Sequence, residues 1–339
     1  MKYLLLTLFV GTILITNTAY GQNLESLGGQ SGARSIQTVP PHPGPHQLTT
    51  ITVESFSTDL NRATISWFLN NNPVKEATGQ KNFSFKTGSL GSISNILIVV
   101  KTPGGAVIQE TINISPASVD LVWEAESYTP PFYKGKALYQ FQGNVKVVAL
   151  PNIITTEGGS LEAKNMVYTW KVDGHPAGSA SGYGKNFILF RGDVPLKPAT
   201  VSVEVSSTDG AYVATNSTTL NPVQPGIVLY EDSPLLGILY EQALAGNIAL
   251  RNTEIKITAI PYFLGVAERD GNGLIYNWLM NGQKITAGGE KSSVTFRQDK
   301  GAAGNATISL NVTNPIKVFQ TIDASVNLLF GSNTAVSQF

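Results

Sequence analysis

Three stretches of the chain alternate apolar and polar residues around a tryptophan. The tryptophans are Trp67, Trp170 and Trp278, and in each stretch the residues two and four positions earlier are also apolar. Because successive side chains of a strand point to opposite faces, each stretch predicts a β-strand with one buried face and the tryptophan at its centre. An Asp-Gly or Asn-Gly pair follows the second and third tryptophans and supplies the residues of a tight turn, and residues 70–73 form a looser version after the first.

The spacing of the tryptophans gives the size of the repeating unit. They are 103 and 108 residues apart, which matches the length of an immunoglobulin-like (Ig-like) sandwich and exceeds the period of short solenoid repeats. A strongly alternating strand follows each tryptophan, at residues 95–100, 199–205 and 306–312. The sequence therefore predicts an all-β chain of three tandem sandwiches, each with its own core.

The second and third repeats share a segment that precedes the tryptophan strand. Residues 121–124 and 228–231 read as corresponding opening strands, and residues 145–151 alternate in parallel with 255–261. No stretch shows a long helical period, and residues 241–249 predict at most one or two helical turns.

The tryptophan strand with its Asp-Gly or Asn-Gly turn, the later alternating strand and the period resemble the Ig-like and PKD-type β-sandwich repeats of uncharacterised bacterial secreted or surface proteins. Segment 123–138 looks like a repeat of such proteins, and the resemblance covers residues 48–331. It implies three tandem Ig-like (PKD-like) β-sandwich domains. It implies no single activity, because such modules serve as adhesins, spacers and binding domains alike.

Composition divides the rest of the chain. Lys2, an apolar run at residues 4–15 and a small-x-small motif ending at Gly21 predict a signal peptide cleaved before Gln22. The run is short of the ~20 residues that span a bilayer, and the alternative is anchoring by an uncleaved N-terminal helix. The predicted organisation is a signal peptide (1–21), a flexible Gly/Pro linker (22–47), three Ig-like domains (48–116, 117–222 and 223–331) and a C-terminal tail (332–339).

Composition also removes several function classes. The 23 Lys and Arg residues balance 23 Asp and Glu residues, so the chain lacks the basic footprint of a nucleic-acid binder. It has no cysteine, which excludes disulfides, thiolate zinc sites and cysteine nucleophiles. No repeat departs from the others to install a nucleophile, a base and an orienting group. We therefore predict no enzymatic activity, no catalytic, cofactor-binding or metal-binding residues, and no cofactor.

Two charged motifs leave alternatives open. Glu124 with Glu126, and Glu231 with Asp232, recur in corresponding places and could bind calcium at a domain junction, or could be solvated acids beside a hinge. The segment 191–193 spells Arg-Gly-Asp, a cell-adhesion tripeptide. A basic residue that opens a polar turn explains it equally well, because residues 86–88 and 297–299 have the same character in the other repeats.

The aromatic residues of the Pro-broken segment are the remaining candidates for binding. Trp123, Tyr128, Phe132 and Tyr133 could stack on sugar rings or on a partner protein, or could pack against the adjacent domain.

The whole pattern predicts an exported, non-enzymatic interaction protein, secreted or at the cell surface. In this interpretation an Ig-like rod with stiff, proline-bearing joints serves adhesion or cell-surface assembly. Its partner is an unknown protein or glycan at the cell surface, and no stable transmembrane segment remains after signal cleavage. The alternative is a glycan- or peptide-binding extracellular module.

Overall fold

The computed structural model describes residues 34–140, 142–192, 197–265, 273–286, 289–299, 303–318 and 320–331. The predicted signal peptide and C-terminal tail lie outside these residues. In the described part of the chain, no helix is long and apolar enough to cross a membrane. The ordered elements there are β-strands and two short 3-10 helices, at Ala163–Asn165 and Gly178–Ala180.

The first domain is a sandwich of two antiparallel sheets. Its strands are β1 (Arg34–Val39), β2 (Leu48–Ser55), β3 (Thr64–Leu69), β4 (Asn72–Thr78), β5 (Asn82–Lys86), β6 (Ser94–Lys101) and β7 (Val107–Ile114). The sheets have the orders β1-β2-β5 and β4-β3-β6-β7. Trp67 is fully buried between them, together with Ile51 and Ile65.

Strand β1 corrects the linker interpretation. It lies inside residues 22–47, yet it pairs along its whole length with β2, with Ile36 opposite the buried Val53. The linker prediction is therefore wrong for residues 34–39, and residues 22–33 lie outside the described residues. The strand was missed because it offers few apolar residues to an alternation pattern and is followed at once by prolines.

The second domain repeats the arrangement. Its strands are β8 (Ser118–Ala125), β9 (Asn144–Asn152), β10 (Val167–Val172), β11 (His175–Pro176), β12 (Gly182–Tyr183), β13 (Phe187–Arg191), β14 (Ala199–Ser206) and β15 (Val213–Leu220). They form sheets of the orders β13-β9-β8 and β11-β10-β14-β15, with β12 paired to β10. Trp170 and Tyr168 are fully buried between them.

The third domain has an additional strand on each sheet. Its strands are β16 (Gly226–Ser233), β17 (Gly237–Leu244), β18 (Gly246–Ala249), β19 (Glu254–Tyr262), β20 (Ile275–Met280), β21 (Gln283–Ile285), β22 (Ser293–Arg297), β23 (Gly304–Thr313) and β24 (Thr321–Phe330). The sheets have the orders β17-β16-β19-β22 and β18-β24-β23-β20-β21. The expectation of helical turns at 241–249 is wrong, because residues 241–244 belong to β17 and residues 246–249 form β18, which runs parallel to β24.

The same contacts recur around each tryptophan. The indole Nε1 of Trp67, Trp170 and Trp278 donates to a main-chain carbonyl at 3.0, 2.9 and 3.0 Å, on Gln80, Lys185 and Lys291 respectively. This bond satisfies the one polar atom of a ring that is otherwise buried in apolar surroundings. Each domain also has its own buried apolar cluster. The predicted all-β fold of three tandem Ig-like sandwiches is confirmed.

The hairpin turn after each tryptophan is also repeated. Asn70, Asp173 and Asn281 all have a positive φ, and in each the side-chain oxygen accepts from a main-chain amide of the later alternating strand. Asn and Asp tolerate this left-handed conformation better than other non-glycine residues. The turn residue therefore also ties its hairpin to the neighbouring strand.

Candidate functional site: the junction of the second and third domains

A long connection between β8 and β9 leaves the second domain and lies against the third. We call residues 128–138 the arm. Ser127 Oγ donates to the Leu138 carbonyl at 2.8 Å, which brings the two ends of the arm together. Residues 128–138 carry the two prolines of this segment and three of the four aromatic residues that the sequence analysis singled out, Tyr128, Phe132 and Tyr133.

Main-chain hydrogen bonds join the arm to the end of β19. Tyr128 N donates to the Leu264 carbonyl at 2.7 Å, and Phe263 N donates to the Tyr128 carbonyl at 2.8 Å. On the other side of the junction, Val223 N donates to the Tyr139 carbonyl at 2.7 Å. Phe263 has φ +58°, an unfavourable conformation for a bulky residue that persists only where the surroundings impose it. The pairing with Tyr128 supplies that constraint.

Aromatic rings of the arm pack against aromatic rings of the third domain. Phe132 lies 5.5 Å from Tyr240, and Tyr133 lies 6.2 Å from Tyr262 and 5.6 Å from Phe263, between ring centroids. These separations are in the range in which aromatic pairs attract one another. Packing against the adjacent domain is therefore what the structure shows for Phe132 and Tyr133, although the Phe132 side chain remains 73% exposed.

The tyrosines of the third domain form the polar side of this cluster. The hydroxyls of Tyr230 and Tyr262 are 2.8 Å apart, and Tyr230 also lies 5.3 Å from Tyr240 between ring centroids. Burial, and secondly the hydrogen bond with Tyr230, raise the pKa of Tyr262 well above its ordinary value. The Tyr262 phenol therefore stays protonated at physiological pH and keeps its hydrogen bond with Tyr230.

Buried amides lock the base of the arm into the third domain. Gln140 is 1% exposed. With its amide nitrogen turned towards the Phe263 carbonyl, it donates to that carbonyl at 2.8 Å and accepts from Gly265 N at 2.7 Å. Gln320 lies beside it and accepts from the Asn314 amide at 2.9 Å. A buried amide that bonds across two domains favours one relative orientation, because any other would leave it without partners.

Trp123 is not available for stacking on a sugar. It lies on the inner side of β8, half-buried against the core of the second domain, and Lys136 of the arm places its Nζ 3.1 Å from the ring centroid. Burial lowers the pKa of Lys136 below its ordinary value. This cation–π contact holds the arm to its own domain.

Three of the four acids singled out in the sequence lie opposite or bond to polar residues of the neighbouring strand. Asp232 accepts from Lys256 at 2.6 Å, and this hydrogen bond raises the pKa of Lys256. Glu126 accepts from Asn144 at 2.8 Å, and Glu124 lies opposite Lys146 in the strand register. Among the described residues, no three or more His, Asp or Glu side chains are grouped as metal ligands. The acids thus serve cross-strand contacts here.

The Arg-Gly-Asp segment has a structural explanation in part. Arg191 ends β13, Asp193 lies outside the described residues, and a Cβ on Gly192 would overlap the buried Tyr139 hydroxyl. The glycine of the tripeptide is therefore required by packing. At the other junction, His42 Nε2 lies 4.0 Å from a carboxylate oxygen of Glu204 in the second domain.

The sequence pattern identified the aromatic residues of the arm but not the residues that contact or anchor it. Gln140, Tyr240 and Phe263 look ordinary in the sequence, and only the repeated proline-aromatic composition near them gave a signal. Their importance comes from contacts between residues more than 100 positions apart, which no local pattern encodes.

No protein-family model and no curated protein match the chain. Solved structures are similar at low identity. The three N-terminal domains of the highly immunogenic outer capsid protein of bacteriophage RB49 align at 12% identity over 88% of this chain and 99% of that one, with a TM-score of 0.26. The fibronectin(III)-like modules of Clostridium thermocellum CbhA align at 12% identity over 56% of this chain and 94% of that one (TM-score 0.27). The central fibronectin-III array of RIM-binding protein aligns at 11% identity over 84% and 92% (TM-score 0.30).

Proposed function

We propose that this chain is a non-enzymatic, exported interaction protein in which tandem Ig-like sandwiches serve adhesion or cell-surface assembly. The observation that carries the proposal is the docked arm. It joins the second and third domains through main-chain bonds, a buried amide network and aromatic packing, where a simple spacer would need only a linker. A junction fixed in this way keeps the loops and faces of two domains at a constant separation.

A fixed junction matters for an interaction protein because rigidity reduces the entropy lost on binding. Two surfaces presented in one orientation can engage one partner together, whereas freely jointed domains must first be ordered. Tyr128 and Tyr133 of the arm, and Gln140 just after it, act here by positioning the two domains. Gln140 and Tyr128 fix the orientation through hydrogen bonds, and Tyr133 packs against Tyr262 and Phe263.

Export and shape are tested on the native protein. We expect mass spectrometry to find the N-terminus at Gln22, and small-angle scattering to give a maximum dimension well above that of a compact globule of the same mass. An intact Met1 would favour the anchored alternative. A compact particle, or turnover of any substrate in a broad hydrolase panel, would overturn the non-enzymatic rod.

One observation favours a second candidate function, a glycan- or peptide-binding module. Phe132 projects from the arm with most of its ring exposed beside Tyr240, and exposed aromatic rings stack on sugar faces and on peptide side chains. Saturable binding of a glycan or peptide that Phe132→Ala abolishes would support this function. Phe56→Ala is the matched control, because Phe56 is an exposed phenylalanine of the first domain far from the arm in sequence.

A further inference from the structure

The first domain exposes an aromatic residue at the position where the third domain receives the arm. The pairing of β2 with β5 and that of β19 with β22 start at equivalent residues, Leu48 and Glu254, so Phe56 is the counterpart of Tyr262. Tyr262 packs against Tyr133 of the arm, with 6.2 Å between the ring centroids. Phe56, in contrast, is 85% exposed. The receiving position of the first domain is therefore apolar and uncovered within the described part of the chain.

The third domain exposes two leucines on the connection that corresponds to the arm. β8 and β16 pair in the same register with the strand that follows them in the sheet, so both end at the same level. β8 leads into the arm, whereas β16 leads into a short turn, residues 234–236, which we call the leucine turn. Leu235 and Leu236 of this turn are 93% and 78% exposed. Adjacent apolar side chains that are almost fully exposed on a turn indicate an interaction site.

The junction of the first and second domains shows that the receiving position is used again. A Cβ placed on Gly91, in the connection between β5 and β6, would lie 2.9 Å from Ile154 Cγ2 and 3.5 Å from the Thr155 carbonyl oxygen. Ile154 and Thr155 follow β9 as Phe263 and Leu264 follow β19. At both junctions, therefore, a loop of one domain packs on the residues directly after the same strand of the next domain. In the first domain that place begins at the exposed phenylalanine after β2.

Strand direction places the exposed residues at the outer ends of the first and third domains. β2 begins near the contact with the second domain, where a Cβ on Gly44 would lie 3.8 Å from the Ala117 carbonyl oxygen, and it ends about 24 Å away, just before Phe56. β16 begins at Gly226, opposite Tyr262 and beside the arm, and it ends about 24 Å away at the leucine turn. Both exposed sites therefore lie on the far side of their domain from the second domain, so a contact between them joins two copies.

We propose that copies of this chain associate head to tail, with the leucine turn of one copy docked beside Phe56 on the first domain of the next. The contact repeats between copies the relation that joins the arm to Tyr262 within one chain, and it buries Leu235 and Leu236 against an aromatic ring. The two surfaces differ, so the interface is heterologous and leaves one free surface of each kind. Such a contact extends into an open chain of copies and does not close as a dimer.

The association is weaker than the junction inside the chain. The short linker between the second and third domains holds the arm near its site at an effective concentration in the millimolar range, whereas separate copies have no such tether. Association therefore depends on concentration and is favoured where exported copies are crowded. The inference deepens the proposed role in cell-surface assembly and rests on it, because it names another copy of the chain as the partner.

Sedimentation equilibrium on the purified exported protein tests the proposal. We expect the average mass to rise past that of a dimer as the concentration approaches about 1 mM. Phe56→Glu, and separately Leu235→Glu with Leu236→Glu, should each weaken association at least about tenfold by placing charge in the contact. Leu189→Glu is the matched control, because Leu189 is a 61% exposed leucine of the second domain and its substitution should leave association unchanged.

A mixture of the two variants tests the head-to-tail arrangement. The Phe56→Glu chain keeps an intact leucine turn, and the double leucine variant keeps an intact first domain, so the mixture retains one intact contact between unlike chains. We expect a heterodimer that does not grow further, although each variant alone stays largely monomeric. Recovery of this contact also shows that both variants are folded.

Several results would overturn the proposal. These are a protein that stays monomeric up to roughly 1 mM, association that neither variant weakens, a closed dimer that grows no further, and a mixture of variants that stays monomeric. A monomer that Phe56→Glu destabilises would also overturn it, and would assign Phe56 to a contact with another segment of the same chain. The N-terminus, the hydrolase panel and the scattering of a dilute sample measure the proposed function separately, so either proposal can fail alone.

Discussion

The outer face of the sheet β13-β9-β8 of the second domain corresponds to that of the sheet β17-β16-β19-β22 of the third domain, but the two faces are covered to different degrees. In the third domain this face carries Tyr230 and Tyr262, and the arm packs on its near end. In the second domain the equivalent of Tyr230 is Val122, and within the described part of the chain Val122 is 48% exposed. The cause lies in the preceding domain. The connection between β1 and β2 is only residues 40–47, whereas that between β8 and β9 is long enough to reach the next domain.

The comparison teaches that coverage of a sheet face depends on a loop of its neighbour and not on the sheet itself. A repeat can acquire a fixed junction or an open surface without any change in its core. The four predictions that follow test whether the core of a domain is independent of its junction and surface, beginning with the core and ending with a single turn.

Removal of the core tryptophan gives the largest effect. Trp170→Ala should destabilise the second domain by about 3–5 kcal/mol, a large part of the stability of one domain, because it empties a fully buried site. Hydrogen exchange should show lost protection in residues 117–222, with the first and third domains largely protected. Trp278→Ala should give the mirror result in the third domain. Uniform loss across all three domains would contradict the independence of their cores.

Adding a methyl group at Gly192 should destabilise the second domain by less than Trp170→Ala does. In Gly192→Ala the new methyl group overlaps the buried Tyr139 hydroxyl, and overpacking of this kind costs about 1–3 kcal/mol. Gly178→Ala in the same domain is the control, since a Cβ there meets no atom within 4 Å. Denaturant unfolding of both variants measures the difference. Equal stability of the two would show that Tyr139 moves aside freely.

Truncation of the arm should loosen the junction while both domains stay folded. Phe132→Ala with Tyr133→Ala removes three aromatic contacts, each worth about 0.5–1.5 kcal/mol. The amide protons of Tyr128 and Phe263, which are bonded across the junction, should exchange faster, and those of β9 and β19 should not change. Phe56→Ala should have no such effect. Unchanged exchange at Tyr128 and Phe263 would mean that the buried amides alone hold the junction.

The smallest effect concerns the turn that distinguishes the second domain from the others. The bond from Thr200 N, and then that from Lys197, hold the pKa of Asp173 below its ordinary value of about 3.9. The carboxylate therefore stabilises the domain above that value, and this contribution is lost as the pH falls through the folded-state pKa. Asp173→Asn copies the turns at Asn70 and Asn281 and should make the stability of the second domain less sensitive to acid. Unfolding measured at pH 7 and near pH 3 gives the comparison, and equal acid sensitivity would contradict it.

One element shows where sequence reasoning stops. Matching residues 121–124 with 228–231 makes Trp123 the counterpart of Tyr230. In the structure Val147 and Ile257 are equivalent residues, and they lie opposite Trp123 and Glu231 respectively. Trp123 is therefore the counterpart of Glu231. The match is wrong by one residue. Since a shift of one residue moves every side chain of a strand to the other face, it exchanged the inner and outer residues of this strand. The composition of both segments is compatible with either register, so only pairing with the next strand could decide.

The sequence by itself determined the three sandwiches, because the alternation around Trp67, Trp170 and Trp278 and the turn residues after them are local consequences of strand geometry. Only the tertiary structure decided the register of β8, the strand at residues 34–39 and the docking of the arm. Each of these depends on which surfaces of distant segments meet. A periodic pattern reports which side chains share a face, but it does not report what covers that face.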